Sequence, residues 1–454
     1  MWMKYVQLVL AAALLCCNSC NKLLDAGSPQ DRQVAGATYD SDVSAARVLT
    51  GLYTQMSSGG AFMGSQGMSY LCGLSADEYL LLQDEELSGS MYRNEMVATQ
   101  APFWRLLYEY IHHANAAVQG LDNASRLTPA IRQQLLGEAR FVRAFCYFYL
   151  VNLFGKVPLV TVTDYKEIIA MPRTDVNLVY DQIISDLHAA EQLLGADYVA
   201  ADAISITEER LRPNKWAATA LLARVYLYRE NWPAAISTSS AVIAEQALYD
   251  TVPLRAVFLK DSKAAIWQLQ LVHKSVTDDA ALFDQQPVSL SAGLMGAFEA
   301  GDLRKYYWLS ADSPYYPAKY RATDETVPAS EHLMVLRLAE LYLIRAEARL
   351  RTGDLHGANE DLGVLRTRAG LPKTALNDAN ALMAAILQER RVEFFSEWGH
   401  RWLDLKRTGR LHALMPAITA AKGGQWQAYK QWFPIPHSEI LLNRHISQNE
   451  GYQE

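Results

Sequence analysis

The chain is poor in cysteine, has no surplus of positive charge, and carries no long apolar run past its first residues. Five cysteines occur in 454 residues, three of them at positions 16, 17 and 20. Only Cys72 and Cys146 remain for the body, too few for a disulfide framework and without the spacing of a zinc site. Cys146 sits mid-helix in FVRAFCYFYL, where a buried thiol is the plainer reading, although an exported compartment would permit the two to pair. Lys and Arg number 42 against 49 Asp and Glu, a net charge of -7. Without a basic field, nucleic-acid binding is excluded, and neutral ligands suit the balance best. No nucleophile elbow, P-loop, dinucleotide fingerprint, HExxH or EF-hand pattern occurs, so the sequence makes no case for an enzyme. The apolar run from Tyr5 to Leu15 is too short to span a bilayer as a permanent helix.

That run follows Lys4 and ends in LLCCNSC, the layout of an export signal. The junction looks like the lipobox of a bacterial lipoprotein, with Cys20 acylated and becoming the first mature residue. Cys17 stands where an aliphatic residue usually precedes the acylated cysteine; acylation at Cys17, which has Leu14 three residues before it, or an ordinary signal peptide are the alternatives. The expected division is a signal at 1–19, a tether at 20–43 and a globular body at 44–454. With 50% hydrophobic and 20% charged residues, that body can bury a large core.

The body reads as mainly α-helical, with little period-two alternation. Residues 101–119 place Trp104, Tyr108, Ile111 and Asn115 on one helical face after Pro102, and 131–154 follow with Leu135, Phe141, Phe145, Phe148 and Leu153 before Gly155. Further helical runs are expected at about 175–194, 214–246, 333–351 and 355–368. ALLARVYLYRENWPAAI (220–236) places Ala223, Tyr226 and Ala235 at tetratricopeptide offsets, and YLIRAEARLRTGDLHGAN (342–359) does so with Ala346, Gly353, Asp354 and Ala358. The copies are not tandem, which implies a helix-hairpin scaffold with insertions. Two stretches, 54–100 and 250–332, lose periodicity; the second carries AIWQLQLV (265–272) and reads as loops with a small strand pair. Long irregular insertions are where ligand contacts are sought.

Residues 388–407, QERRVEFFSEWGHRWLDLKR, form the densest chemical signal. Leu387, Phe394, Phe395, Trp398, Trp402 and Leu405 recur at helical spacing, which predicts one amphipathic helix with Glu397, Arg401 and Asp404 along its flank. Charges among such aromatics imply partly buried ion pairs.

Together with the lipobox and CNKLLD, the strings WRLLYEYIHHANAAV, GEARFVRAFCYFYLVNLFGKVPLV, RLAELYLIRAEA, QERRVEFFSEWGHRWLDLKR and PIPHSEILLNRHISQNEGY occur in order over nearly the whole chain. In this the chain resembles the SusD/RagB family of Bacteroidetes outer-membrane lipoproteins. The resemblance implies a tetratricopeptide-based α/α superhelix on the cell surface, without catalysis. It also implies capture of a glycan, or in some members a peptide, and delivery to a SusC-like TonB-dependent transporter. The motif strings are scaffold, so the resemblance transfers no binding residue.

Capturing a sugar calls for flat apolar faces with hydrogen-bonding rims, which Trp and Tyr supply. The loop candidates are Trp308, Tyr315 and Tyr316 in the second insertion and Tyr79, Tyr92, Arg93 and Asn94 in the first; packing beneath a loop is the plain alternative for each. Glu109-x-x-His112 and Glu397-x-x-His400 have the spacing of di-iron bundles but lack the two further inward Glu such a site needs. The acidic residues Asp77, Glu78, Asp84, Glu85 and Glu86 form no defined glycosidase pair. No cofactor is indicated, and participation of calcium stays open. The reading is an oligosaccharide or polysaccharide-binding lipoprotein of the outer membrane; the alternative is a tetratricopeptide-type interaction scaffold without its own small ligand.

Overall fold

The computed structural model describes residues 38–453, so the signal segment, Cys20 and most of the tether lie outside the described residues. Among these residues, 18 α-helices carry the fold, and strands occur as four two-stranded pairs. The ten longest helices are α1 (Asp42–Ser58), α2 (Trp104–Asp122), α3 (Pro129–Phe154), α4 (Val176–Leu193), α5 (Lys215–Tyr228), α6 (Trp232–Ile243), α7 (Leu338–Arg351), α8 (Leu355–Arg368), α9 (Ala379–Glu393) and α10 (Leu411–Ala421). Their ends follow local chemistry. Pro129 opens α3 with its φ preset, and Gly155 at φ +76° closes it. Asp175, Asn214, Asn231 and Asp354 each accept a backbone N–H at the start of α4, α5, α6 and α8.

From α2 to α8 each helix packs on the next, and α9 closes against α7 and α8. The junction of α6 with α7 is the informative one. Residues 244–337 leave the array between them, yet the two helices are direct neighbours. The tetratricopeptide-like copies are therefore separated in sequence and consecutive in space. Ala223, Ala235, Ala346 and Ala358 are fully buried at these contacts, where a larger side chain would push the helices apart. The apolar core runs from Ala45 to Ile446, and a smaller cluster fills the space among α7, α8 and α9.

Three expected elements differ. The run 214–246 divides at the Arg229–Asn231 turn into α5 and α6. In 333–351, Leu333–Arg337 is a strand paired antiparallel with Ala265–Leu269. All ten residues of the two strands are buried, and a continuous apolar run does not separate strand from helix by periodicity.

Residues 388–407 do not form one helix. After α9 ends at Glu393 the chain turns through Ser396, Trp398 and Gly399, all at positive φ, and resumes as the helix His400–Arg407. The turn sets Trp398 in the core, where its indole N–H donates to the Met334 carbonyl at 2.6 Å and its ring packs 5.0 Å from Phe62 and 5.5 Å from Phe145.

Buried ion pairs form as expected, but not between Arg401 and its helical neighbours; apart from Arg407, three residues from Asp404, the partners come from outside this helix. Glu397 accepts from Arg337 at 2.8 Å and from Lys319, Arg401 donates to Asp77 at 2.6 Å, and Asp404 accepts from Arg390 and Arg407, both at 2.7 Å. Glu393 gathers Arg304 at 3.1 Å, Arg337 at 2.5 Å and Arg368. Burial alone would raise its carboxyl, but Arg368, Arg337 and Arg304 hold it well below the usual range.

The Glu-x-x-His pairs serve structure. Glu109 pairs with Arg105 at 3.0 Å on an exposed helix face. Buried His400 stacks on Phe394 with 4.7 Å between ring centres, its pKa driven far down by burial and by nearby Arg224, Arg390 and Arg337. Among the described residues, Cys72 and Cys146 are free, buried thiols that burial makes less acidic.

Candidate functional site

The two irregular insertions, distant in sequence, meet in one assembly. Tyr79–Leu81 pairs antiparallel with Val288–Leu290, with Tyr79 opposite Leu290 and Leu81 opposite Val288. The N–H groups of Leu82 and Gln83 both donate to the Pro287 carbonyl, at 2.9 and 3.1 Å. Beyond that edge, Leu290 N–H donates to the Tyr315 carbonyl at 2.7 Å, which ties in the 309–317 turn. The opposite wall is joined by a side chain: Asp279 Oδ1 accepts from Gly64 N–H at 2.8 Å. Gly64 has φ +70°, and a Cβ there would lie 3.2 Å from Asp278 Cβ. A small residue in a left-handed conformation thus lets the two insertions close up.

Between them lies an open groove of about 410 Å³ walled by Gly60–Gln66, Gln83–Ser88 and Asp278–Pro287. Gln66, Gln83 and Gln285 supply amides, Ser65 and Ser88 hydroxyls, and Met63, Leu87 and Leu282 apolar surface. Amides and hydroxyls both donate and accept, which matches a ligand rich in hydroxyl groups. Acidic charge dominates the rim. Glu85 and Asp278 line the groove, the nearby Arg93 is held by Asp84 at 2.8 Å, and Lys274 by Asp278 at 2.6 Å. Beneath, burial pushes the carboxyl of Asp279 up to about 7 and that of Glu78 up to about 8.

The candidate contact residues are placed unevenly, and three of them, Trp308, Tyr79 and Asn94, are corrected. Trp308 is 1% exposed, its indole N–H donates to the Leu254 carbonyl at 3.1 Å, and Lys319, Arg368 and Arg337 lie 4.8, 5.8 and 5.9 Å from its ring. It offers no open face for a sugar. Tyr79 is equally buried and donates to Ser396 Oγ at 2.6 Å. Asn94 is a left-handed helix C-cap whose amide donates to the Ser75 carbonyl and to Thr419 Oγ1, both at 3.2 Å. These three hold the insertions to the core.

Tyr92 is half-buried under Lys422, 4.8 Å from its ring, and Arg93 is spent on Asp84. Tyr315 and Tyr316 stay half-exposed on the turn attached to the joined strands. Sequence reasoning missed the groove glutamines. Their signal was weak, three loop glutamines in GSQG, LLQDEE and DQQP, because such residues are ordinary on any surface.

Two family models match the chain: one described as "SusD family" over residues 296–452, and one described as "Starch-binding associating with outer membrane" over 24–227. Among curated relatives, SusD-like protein P25 of Formosa agariphila is 22% identical, covering 96% of this chain and 97% of its own. Starch-binding protein SusD of Bacteroides thetaiotaomicron is 34% identical over 32% of this chain and 24% of its own. Among solved structures, a SusD superfamily protein from Bacteroides vulgatus superposes with a TM-score of 0.78 at 19% identity, covering 91% of this chain and 100% of that one. A laminarin binding SusD-like protein gives 0.74 at 23%, covering 90% and 99%. The structural likenesses establish the shared fold.

Proposed function

The chain belongs to the SusD/RagB family, and on that premise we propose that it captures a glycan at the cell surface and delivers it to a SusC-like TonB-dependent transporter. It acts by hydrogen bonding and stacking, without a cofactor or a catalytic step, and is held to the outer membrane by lipid on Cys20. The observation that carries the reading is the groove where the two insertions join. It is an amide- and hydroxyl-rich surface built by segments that lie outside the α2–α8 array, with Tyr315 and Tyr316 on the attached turn. The relatives named for starch and laminarin support a glycan over a peptide.

Calorimetric titration with starch- and laminarin-derived oligosaccharides and with a peptide panel tests this. A saturable response to a glycan is expected. Gln83→Ala with Gln285→Ala should weaken it about tenfold, the loss of two ligand hydrogen bonds of roughly 0.5–1.5 kcal/mol each. Silence across the panel together with tight transporter binding would instead support a scaffold role.

A further inference from the structure

A second concavity lies apart from the groove, and its chemistry is of the opposite sign. It encloses about 230 Å³ between Leu254–Leu259, Tyr307–Trp308 and the 319–331 segment. That volume is below the roughly 300 Å³ of a drug-sized pocket and suits a single small unit. Three cations line it: Arg255, Arg321 and Lys319.

The cations are not all spent. Arg255 has no hydrogen bond or ion pair among the described residues, and the guanidinium of Arg321, whose charge also acts on Glu331, makes a single long hydrogen bond to the Leu309 carbonyl, at 3.4 Å. Lys319, 6% exposed at the base, uses two of its three N–H donors, one on the Glu393 carbonyl at 2.8 Å and one on Glu397. The lining carboxylate, Glu331, already accepts the backbone N–H groups of Arg321 and Ala322, at 2.8 and 3.1 Å. Phe258 adds an apolar wall, and the hydroxyls of Tyr307 and Ser330 have no hydrogen-bond partner among the described residues.

From this arrangement we infer that the cavity is a binding site for one anionic pyranose unit. Arg255 and Arg321 engage the carboxylate or sulfate, and Tyr307 and Ser330 the ring hydroxyls. Each guanidinium at the mouth can donate a pair of N–H groups to two oxygens of a carboxylate or a sulfate, and Phe258 offers apolar surface to the ring. The site is independent of the acidic groove, whose lining residues it does not share.

Titration of the full chain with glucuronate, glucose 6-sulfate and glucose, in low and high salt, tests the inference. Glucuronate or the sulfate should bind saturably, glucose at least about tenfold more weakly, and salt should weaken the anions alone. Arg255→Gln with Arg321→Gln should reduce anion binding about tenfold or more, while Gln83→Ala with Gln285→Ala leaves it unchanged. Response to the carboxylate but not the sulfate, or the reverse, identifies which oxyanion the site takes. Absence of saturable binding by either anion, equal binding of glucose, or binding indifferent to the arginine substitutions in a variant with wild-type circular dichroism would overturn it.

Discussion

Glu393 is the carboxylate on which the buried charge network turns, and replacing it with Gln gives a sharp test. Its side chain is fully buried, and it accepts from Arg304 at 3.1 Å, Arg337 at 2.5 Å and Arg368. The three cations depend on it unequally. Arg304 keeps Asp302 and Glu389, and Arg337 keeps Glu397, but among the described residues Arg368 has no other salt-bridge partner and its Nε is unbonded. Glu393→Gln preserves shape and removes charge, which leaves Arg368 buried against a neutral amide.

Removing one partner of a buried pair costs about 3–5 kcal/mol. With an unfolding entropy of about 2.1 cal/mol/K per residue over 454 residues, roughly 0.95 kcal/mol/K, a loss of about 4 kcal/mol lowers the melting temperature by about 4 °C. Differential scanning calorimetry at pH 7 reads it, with Glu109→Gln as the control. That residue pairs with Arg105 on an exposed face, so its loss should cost under about 1 kcal/mol. A melting temperature for Glu393→Gln within 1 °C of wild type, or a shift no larger than that of the control, would refute the view that the stretch from 388 to 407 is a buried electrostatic lock.

Further expectations concern the same interior. The buried carboxyls of Asp279 and Glu78 are raised by desolvation from ordinary values of 3.8 and 4.5 to about 7 and about 8. The folded chain therefore holds protons that the unfolded chain has released, and stability declines as pH rises from about 4 towards 7 and 8. Asp279→Asn with Glu78→Gln should raise the melting temperature relative to wild type more at pH 8 than at pH 5; an equal difference at both would count against the assignment. Gly399 has φ +67° and a Cβ there would meet Cys72 Cβ at 2.9 Å, whereas Gly409 at φ +69° faces open space. Gly399→Ala should cost more denaturant midpoint than Gly409→Ala, which pays only the roughly 1–2 kcal/mol of left-handed strain. In a chain starting at residue 38, neither Cys72 nor Cys146 should react with a thiol reagent until denaturant is added, and a fast-reacting thiol in the native protein would contradict their burial.

What the sequence disclosed and what it withheld divide along range of interaction. Helices such as α3 and α8 were legible because their signals are local, the apolar periodicity and Gly155 for α3 and the small-residue pattern around Gly353, Asp354 and Ala358 for α8. The turn at 394–399 was not, because three positive-φ residues are held there by contacts with Ser69, Cys72 and Met334, all remote in the chain. Partners of Glu397 lie 60 and 78 residues away, so helical spacing suggested Arg401 in their place. The insertions were recognisable as the place to look for ligand contacts, but their joining through Tyr79–Leu81 and Val288–Leu290 depends on the whole scaffold. Trp308 takes the alternative named for every candidate, the anchor beneath a loop, because an aromatic in a poorly patterned segment can as well be that anchor as the platform upon it.

The most direct test of glycan capture is hydrogen–deuterium exchange on the full chain, with and without a saturating oligosaccharide found by titration. Protection confined to residues 60–66, 83–88 and 278–287, with lesser protection at 309–317, is the expected result. Protection along the α2–α8 helical array, with those segments unchanged, would contradict the assignment of the ligand to the joined insertions.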